Sequence, residues 1–239
     1  MEHAGELEDI SVFPVLWSRW AFHCVRAEFG VALACAEQFL AATESSAEAT
    51  WQVSAFQAMG TTLWHLGKPG EARAFLQRGL ALCETQPQSS LFEQLGEDSA
   101  VASYFFNGMV LWLLGLPDQA RESVYRAMFL AEALKHPYSK GMALLGAACL
   151  HVDRREPQAV IKYSQALGAL AAEHGFLLWQ VLADILQGWA LAASAQPDAG
   201  LSLMQRGMTH FLASGANMLQ PYFLATNLSR DSQRLSRSW

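Results

Sequence analysis

The sequence predicts an all-α fold of about five antiparallel helical hairpins with a single capping helix at the end. Three observations carry that expectation. Alanine and leucine dominate while β-branched residues are sparse, a composition that favours helix over strand. Hydrophobic residues fill 52% of the 239 positions and charged residues only 16%, which suits helices buried on two sides in a stacked repeat. The chain also repeats itself. Gly108-Met109-Val110-Leu111-Trp112-Leu113-Leu114-Gly115-Leu116-Pro117-Asp118-Gln119-Ala120 matches Gly60-Thr61-Thr62-Leu63-Trp64-His65-Leu66-Gly67-Lys68-Pro69-Gly70-Glu71-Ala72, 48 residues earlier, in its Gly, Leu, Trp, Leu, Gly, Pro and Ala. Each copy reads as a helix end, a glycine turn and a second helix opened near a proline.

Residues 1–11 are acidic and lack helical periodicity, so they are expected to be a flexible lead-in. Pro14 is expected to open the first helix, which runs to about Glu28, and Gly30 to break it before a second helix from Val31 to about Thr43. The second hairpin spans about Ala47 to His65 and Pro69 to Thr85. An irregular segment from Gln86 follows, and Asp98 or Ser99 is placed to cap a helix from about Ala100 to Leu114. The third hairpin ends near Lys135, because the residue before Pro137 is pushed out of the helical region. The fourth covers about Tyr138 to Asp153 and Pro157 to Glu173, closed by Gly175. The fifth covers about Phe176 to Ser194 and Pro197 to Ala213. A last helix, about Asn217 to Asn227, has no partner and is expected to cap the stack. Residues 12–228 thus form one repeat domain, and 229–239, with three arginines and four serines, a disordered tail.

Composition narrows the function. A net charge of -6 and a pI near 5.6 disfavour nucleic acid, whose phosphates need a clustered basic face. Cys24, Cys35, Cys83 and Cys149 form no Cys-x-x-Cys pair and read as reduced thiols of a cytoplasmic protein. No apolar run reaches membrane-spanning length, and the acidic N-terminus does not fit a signal peptide. Seven histidines form no His-Glu-x-x-His or other local metal spacing, so no metal or cofactor is expected. Neither a nucleophile elbow nor a Gly-x-x-x-x-Gly-Lys-Ser/Thr loop is present, and the chain is read as not an enzyme.

The small residue near the start of each second helix sets a register: Ala32, Ala72, Ala120, Ala159 and Gly200, at separations of 40, 48, 39 and 41. Twelve positions earlier stand Gly60, Gly108, Ala147 and Gly188, so both helices of a hairpin are small where they meet. The first repeat departs, with Trp20 at that place.

The pattern Gly60, Leu63, Gly67, Ala72 and Leu76, repeated as Gly108, Leu111, Gly115, Ala120 and Ala127, resembles the tetratricopeptide repeat (TPR), with a period near 40 in place of about 34. That resemblance implies a TPR-like α-solenoid, a right-handed superhelix with helices longer than usual. Gly96-Glu97-Asp98, Leu111 to Ala120, His136-Pro137-Tyr138-Ser139 and Gly188-Trp189-Ala190 together resemble the C-terminal repeat region of large bacterial signalling proteins. In those proteins a class III adenylate/guanylate cyclase domain and an AAA-type or STAND-type ATPase precede the repeats. The resemblance spans about residues 14–225 and implies a non-catalytic protein-interaction and regulatory module. With Met1 so close to the first hairpin, the chain reads equally as a piece of a longer protein or as a stand-alone relative.

In TPR arrays the first helix of each hairpin lines a concave face. Projecting the register places Trp17, Gln57, Phe105, Leu144 and Ile185 at the fifth position, Ala21, Thr61, Met109, Ala148 and Trp189 at the ninth, and Cys24, Trp64, Trp112, His151 and Ala192 at the twelfth. Trp17, Trp64, Phe105, Met109, Trp112, His151, Ile185 and Trp189 are therefore the candidate partner or ligand groove. The lysines, arginines and asparagines of a carboxylate clamp are missing, which disfavours an acidic C-terminal peptide. Two uses remain: docking of a protein or peptide helix, self-association included, or binding of an apolar small ligand. Equally, curvature or the last helix, with Tyr222 and Phe223, would bury the rings as core.

Overall fold

The second helices begin where the prolines said they would. The computed structural model describes residues 3–44, 49–85, 95–194 and 196–225, with side chains from Val12 onward. It contains α1 (His3–Val25), α2 (Phe29–Thr43), α3 (Ala49–His65), α4 (Pro69–Thr85), α5 (Ser99–Leu113), α6 (Pro117–Leu134), α7 (Pro137–Asp153), α8 (Pro157–His174), α9 (Leu177–Ala193) and α10 (Pro197–Ala213). Residues 220–225 are also helical, and there is no strand among the described residues. The fold is all-α, a run of consecutive antiparallel hairpins with a terminal cap. Residues 226–227 of the expected last helix, the expected tail 229–239 and most of the irregular segment from Gln86 lie outside the described residues.

Two expectations about the first hairpin are corrected. α1 starts at His3 and takes Pro14 into its interior, where proline forgoes one backbone bond. An acidic stretch is well placed at a helix start, where it meets the positive end of the helix dipole. Gly30 does not break the chain but lies inside α2; the turn sits at Ala27, which takes the left-handed conformation with φ of 62°.

Every described hairpin turn uses one hydrogen-bond scheme. Glu28 N–H donates to His23 O, Lys68 to Leu63, Leu116 to Leu111 and Glu156 to His151, each at 2.9 Å. The residue just before each donor is left-handed: Ala27, Gly67, Gly115 and Arg155. From residues 28, 68, 116, 156 and 196 the next helix starts one residue on, so the repeats step by 40, 48, 40 and 40. The period is thus 40, with eight extra residues ahead of α5. It corrects the register of the fourth hairpin by one residue: Ala148 and Val160, both fully buried, take the places given to Ala147 and Ala159.

The small pairs do what their spacing suggested. A Cβ on Gly108 would lie 3.2 Å from Ala120 O and 2.6 Å from Val124 Cγ2, and one on Gly188 would lie 2.8 Å from Gly200 O and 2.7 Å from Met204 N. A Cβ on Gly60 would run into Leu76 and sit 3.2 Å from Ala72 O. In each of these three hairpins the first-helix glycine faces the small residue twelve on and the side chain sixteen on.

The packing forms two compact units, Met1–Cys24 with Glu28–Gly146, and Val25–Ala27 with Ala147–Trp239. In the first, α3 packs on α4 and α5 on α6, while α2 lies on α3, α4 on α5, and α3 on α5. A first helix therefore meets its own partner, the second helix of the hairpin before it and a neighbouring first helix. Phe13, Trp17, Trp20, Phe39 and Trp51 fill the start of this unit, with Trp17 and Trp20 rings 4.7 Å apart. Trp20, standing where later repeats have glycine, donates from Nε1 to Thr62 Oγ1 at 2.8 Å, so its indole N–H is satisfied inside the core.

In the second unit α8 packs on α9 and α9 on α10. The chain then returns over α10. Phe223 meets Phe211 at 6.0 Å between centroids, and Ala216 and Leu219 are buried beside them. Tyr222 Oη lies 3.2 Å from Cys149 O and from Asp153 Oδ1, while Asn217 and Met218 N–H donate to Val25 O. The expected capping role is thus visible in residues 216–225.

Candidate functional site

Of the eight predicted groove residues, Trp17, Phe105, Met109, His151, Ile185 and Trp189 are buried, and Trp64 and Trp112 are half-buried. In the first unit Trp17 donates from Nε1 to Leu95 O, so the segment just before α5 lies against the fifth position of the first repeat. Phe105 lays its ring on Gly146 of α7, where a Cβ would come within 2.6 Å of Cδ2. Trp64 closes a ring cluster with His65 at 4.5 Å and Phe106 at 5.6 Å, and Phe29 stacks on His65 at 4.5 Å. Burial in that cluster lowers the His65 pKa to about 3, and neither His65 Nε2 nor Trp64 Nε1 has a hydrogen-bond partner. In the second unit Ile185 points at its own partner helix, since a Cβ on Gly207 would meet Ile185 Cγ1 at 2.7 Å.

His151 is displaced from the predicted set by the register itself. The twelfth position of the fourth repeat is Val152, and His151 corresponds to His23, Leu63 and Leu111. Its role is at the turn: Nδ1 lies 2.5 Å from Glu156 Oε2, and the ring stacks on Tyr163. His23 and Glu28 make the same bond at 2.6 Å in the first hairpin. Sequence reasoning missed this pair, although His followed by Glu five residues on recurs at equivalent turns. The hydrogen bond from His151, then Arg154, pulls the Glu156 carboxyl below its ordinary range.

Two motifs read separately in the sequence come together in the first unit. Asp98 caps α5 by accepting from Ala100 and Val101 N–H at 3.1 and 3.0 Å, and its own N–H donates to Ser139 Oγ at 3.0 Å. His136 Nδ1 is 2.9 Å from the same Ser139 oxygen. A serine, a histidine and an aspartate are thus neighbours, but Ser139 is buried and Asp98 spends its carboxylate on backbone donors, not on the imidazole. The arrangement ties α5 to α7. Beside it, Glu97 is half-buried, and burial followed by the Asp98 charge raises its carboxyl to about 8. Glu97 in turn raises Cys24 of α1 and Tyr138 of α7, placing the carboxyl near both. Residues 95–98 therefore lie against Trp17 and near Cys24, the fifth and twelfth positions of the first repeat. The contact of Leu95 with Trp17 is one that a repeat register read from sequence does not reveal.

Among the described residues no three His, Cys, Asp or Glu side chains are grouped to hold a metal, and no helix is long and apolar enough to cross a membrane. No family model matches the chain, and no curated relative does. Among solved structures it is similar to the crystal structure of a Podosopora anserina putative kinesin light chain with nearly identical TPR-like repeats. That match has a TM-score of 0.55 at 14% identity, over 90% of this chain and 98% of that one. A point variant of the same protein matches with a TM-score of 0.57 at 14% identity, over 87% and 96%. With hairpins of this geometry and these neighbours, the chain has a TPR-like helical-repeat fold.

Proposed function

We propose that this chain is a non-catalytic protein-interaction module that serves a bacterial cyclase/ATPase signalling system. The observation that supports the reading is the 40-residue hairpin repeat, lengthened once by eight residues ahead of α5, in which the buried polar side chains with assigned partners serve turns, caps and helix ties. The signalling context rests on the Gly96-Glu97-Asp98 and His136-Pro137-Tyr138-Ser139 resemblance. Within the groove, Trp64 and Trp112 occupy equivalent places in adjacent repeats and keep part of their rings at the surface, so they are the contact residues of this proposal.

Isothermal titration of the chain with a class III cyclase–ATPase region is the test. Binding that weakens at least tenfold in Trp64→Ala/Trp112→Ala, with an unchanged melting point, supports the module and its groove. A variant that loses its fold along with binding makes these rings core and removes them from the site. Stabilisation by a metabolite in a thermal-shift screen, with no cyclase–ATPase binding, would replace the scaffold by a ligand sensor.

A further inference from the structure

The outer face of α6 differs from that of every other second helix. Phe129 stands there 74% exposed. The repeat step carries it onto Ala41, Ala81, Ala169 and Thr209, all exposed, so the position meets solvent in each hairpin and only here holds a large apolar ring. One turn earlier Tyr125 is 42% exposed, where its counterparts are Glu37, Gln77, Gln165 and Gln205. The packing of α6 does not call for either ring, because its buried side consists of Ala120, Ser123, Val124, Ala127 and Ala131. A phenylalanine held in water forgoes the stabilisation that burial would give it.

The complement of that ring lies on the same helix. A depression of about 510 Å³, lined by Asp118, Gln119, Arg121, Glu122, Tyr125 and Arg126, occupies the turns just before Phe129. A protrusion at one end of a helical stripe and a depression at the other make a surface that fits a copy of itself about a twofold axis. With two α6 helices antiparallel and the axis at the level of Val124, Phe129 of each copy stands at the level of Gln119 of the other, inside the depression. Arg121 and Arg126 there can lie over the ring face. The twofold also brings like flanks of the stripe together. Glu122 and Arg126 share a flank, one turn apart, so each Glu122 stands at the level of the other copy's Arg126, and two opposite-charge pairs close across the axis.

We propose that the Glu122–Phe129 face of α6 is an isologous docking surface for a second copy of this chain, with the two α6 helices antiparallel and each Phe129 seated in the other's depression. This surface lies on a second helix and is independent of the groove at Trp64 and Trp112, which lie on first helices. One helix pair buries less than the roughly 1,200 Å² of a standard interface, so the dimer is a weak one, with a dissociation constant on the order of 10–100 μM.

Sedimentation equilibrium of the full chain between about 5 and 500 μM reads the association. A monomer–dimer equilibrium is expected, and Phe129→Ala, which gives α6 the residue that α2, α4 and α8 carry, should weaken it about tenfold or more with no change in melting point. Glu122→Arg and Arg126→Glu should each weaken it by a similar factor, because either change sets like charges opposite one another twice. The two made together in one chain should restore the dimer, since the pair closes again with its signs exchanged. A chain that stays monomeric throughout would overturn the proposal and leave this face to a different protein. So would a dimer that tolerates Phe129→Ala, and so would a double exchange no better than its single members, which the antiparallel register forbids.

Discussion

Gly188→Ala tests the close approach on which the fifth hairpin rests. In an isolated helix the change would stabilise by about 1 kcal/mol, because alanine loses less entropy than glycine. Here the new methyl would stand 2.7 Å from Met204 N and 2.8 Å from Gly200 O, both backbone atoms of α10. No rotamer change relieves that clash, so α9 and α10 must move apart by several tenths of an ångström. Overpacking of this kind costs about 1–3 kcal/mol, and looser packing along the rest of the hairpin adds to it. We expect a net loss of about 1–2 kcal/mol and a melting point lower by about 3–6 °C for a chain of this size. Gly30→Ala is the control: nothing lies within 4 Å of its Cβ position, so it should raise stability. Gly108→Ala falls between, since its sharpest clash is with the Val124 side chain. Urea unfolding and differential scanning calorimetry measure all three. A Gly188→Ala chain as stable as Gly30→Ala would refute the argument that glycine is there for helix approach.

Three further outcomes follow from charge and turn geometry. His65 has its pKa lowered by burial from 6.5 to about 3, so the unfolded chain takes up the proton first and stability falls as pH drops below 6.5. At pH 5 this amounts to about 2 kcal/mol, and His65→Phe should remove that part of the slope in urea titrations. Glu97 is shifted the other way, from 4.5 to about 8, so its contribution is complete below pH 4.5 and is lost as pH rises toward 8. Glu97→Gln should therefore match the parent at pH 4 and melt higher at pH 8; an equal gain at both values would refute the assignment. Arg155→Gly should relieve a left-handed non-glycine residue and stabilise by about 0.5–1 kcal/mol. Made after His151→Ala, which breaks the bond to Glu156, the same change should gain more, and a double-mutant cycle reads the coupling.

The hairpins were legible because their punctuation is local. Pro69, Pro117, Pro157 and Pro197 open second helices by fixing φ and needing no N–H partner, and Gly67, Gly115 and Gly175 take left-handed turns. Asp98 at a cap is local in the same way. The first hairpin misled because Ala27 carries a conformation usually given to glycine, while the nearby Gly30 drew the break to itself. In the fourth hairpin, adjacent residues of similar size, Ala147 with Ala148 and Ala159 with Val160, left the register open by one. The turn bond from Glu156 to His151 closes that choice. The groove was less legible, because burial of its members depends on partners far along the chain: Leu95 for Trp17, Gly146 for Phe105, Gly207 for Ile185.

Those distant partners bear on where specificity can lie in this chain. The positions where the two helices of a hairpin meet are closed at Gly60 with Ala72, Gly108 with Ala120 and Gly188 with Gly200, so they leave little room for a partner. Room exists where one repeat departs from the others. The first repeat departs at Val15, Arg19 and Phe22, which are large or charged and exposed where their counterparts are uncharged and, apart from the half-buried Gln187, buried. Just ahead of α5, Glu97, a carboxyl raised to about 8, stands near Cys24 and Tyr138. An exposed apolar stripe carries a standing cost in water that the fold does not recover. A carboxylate kept from ionising carries a similar cost at neutral pH.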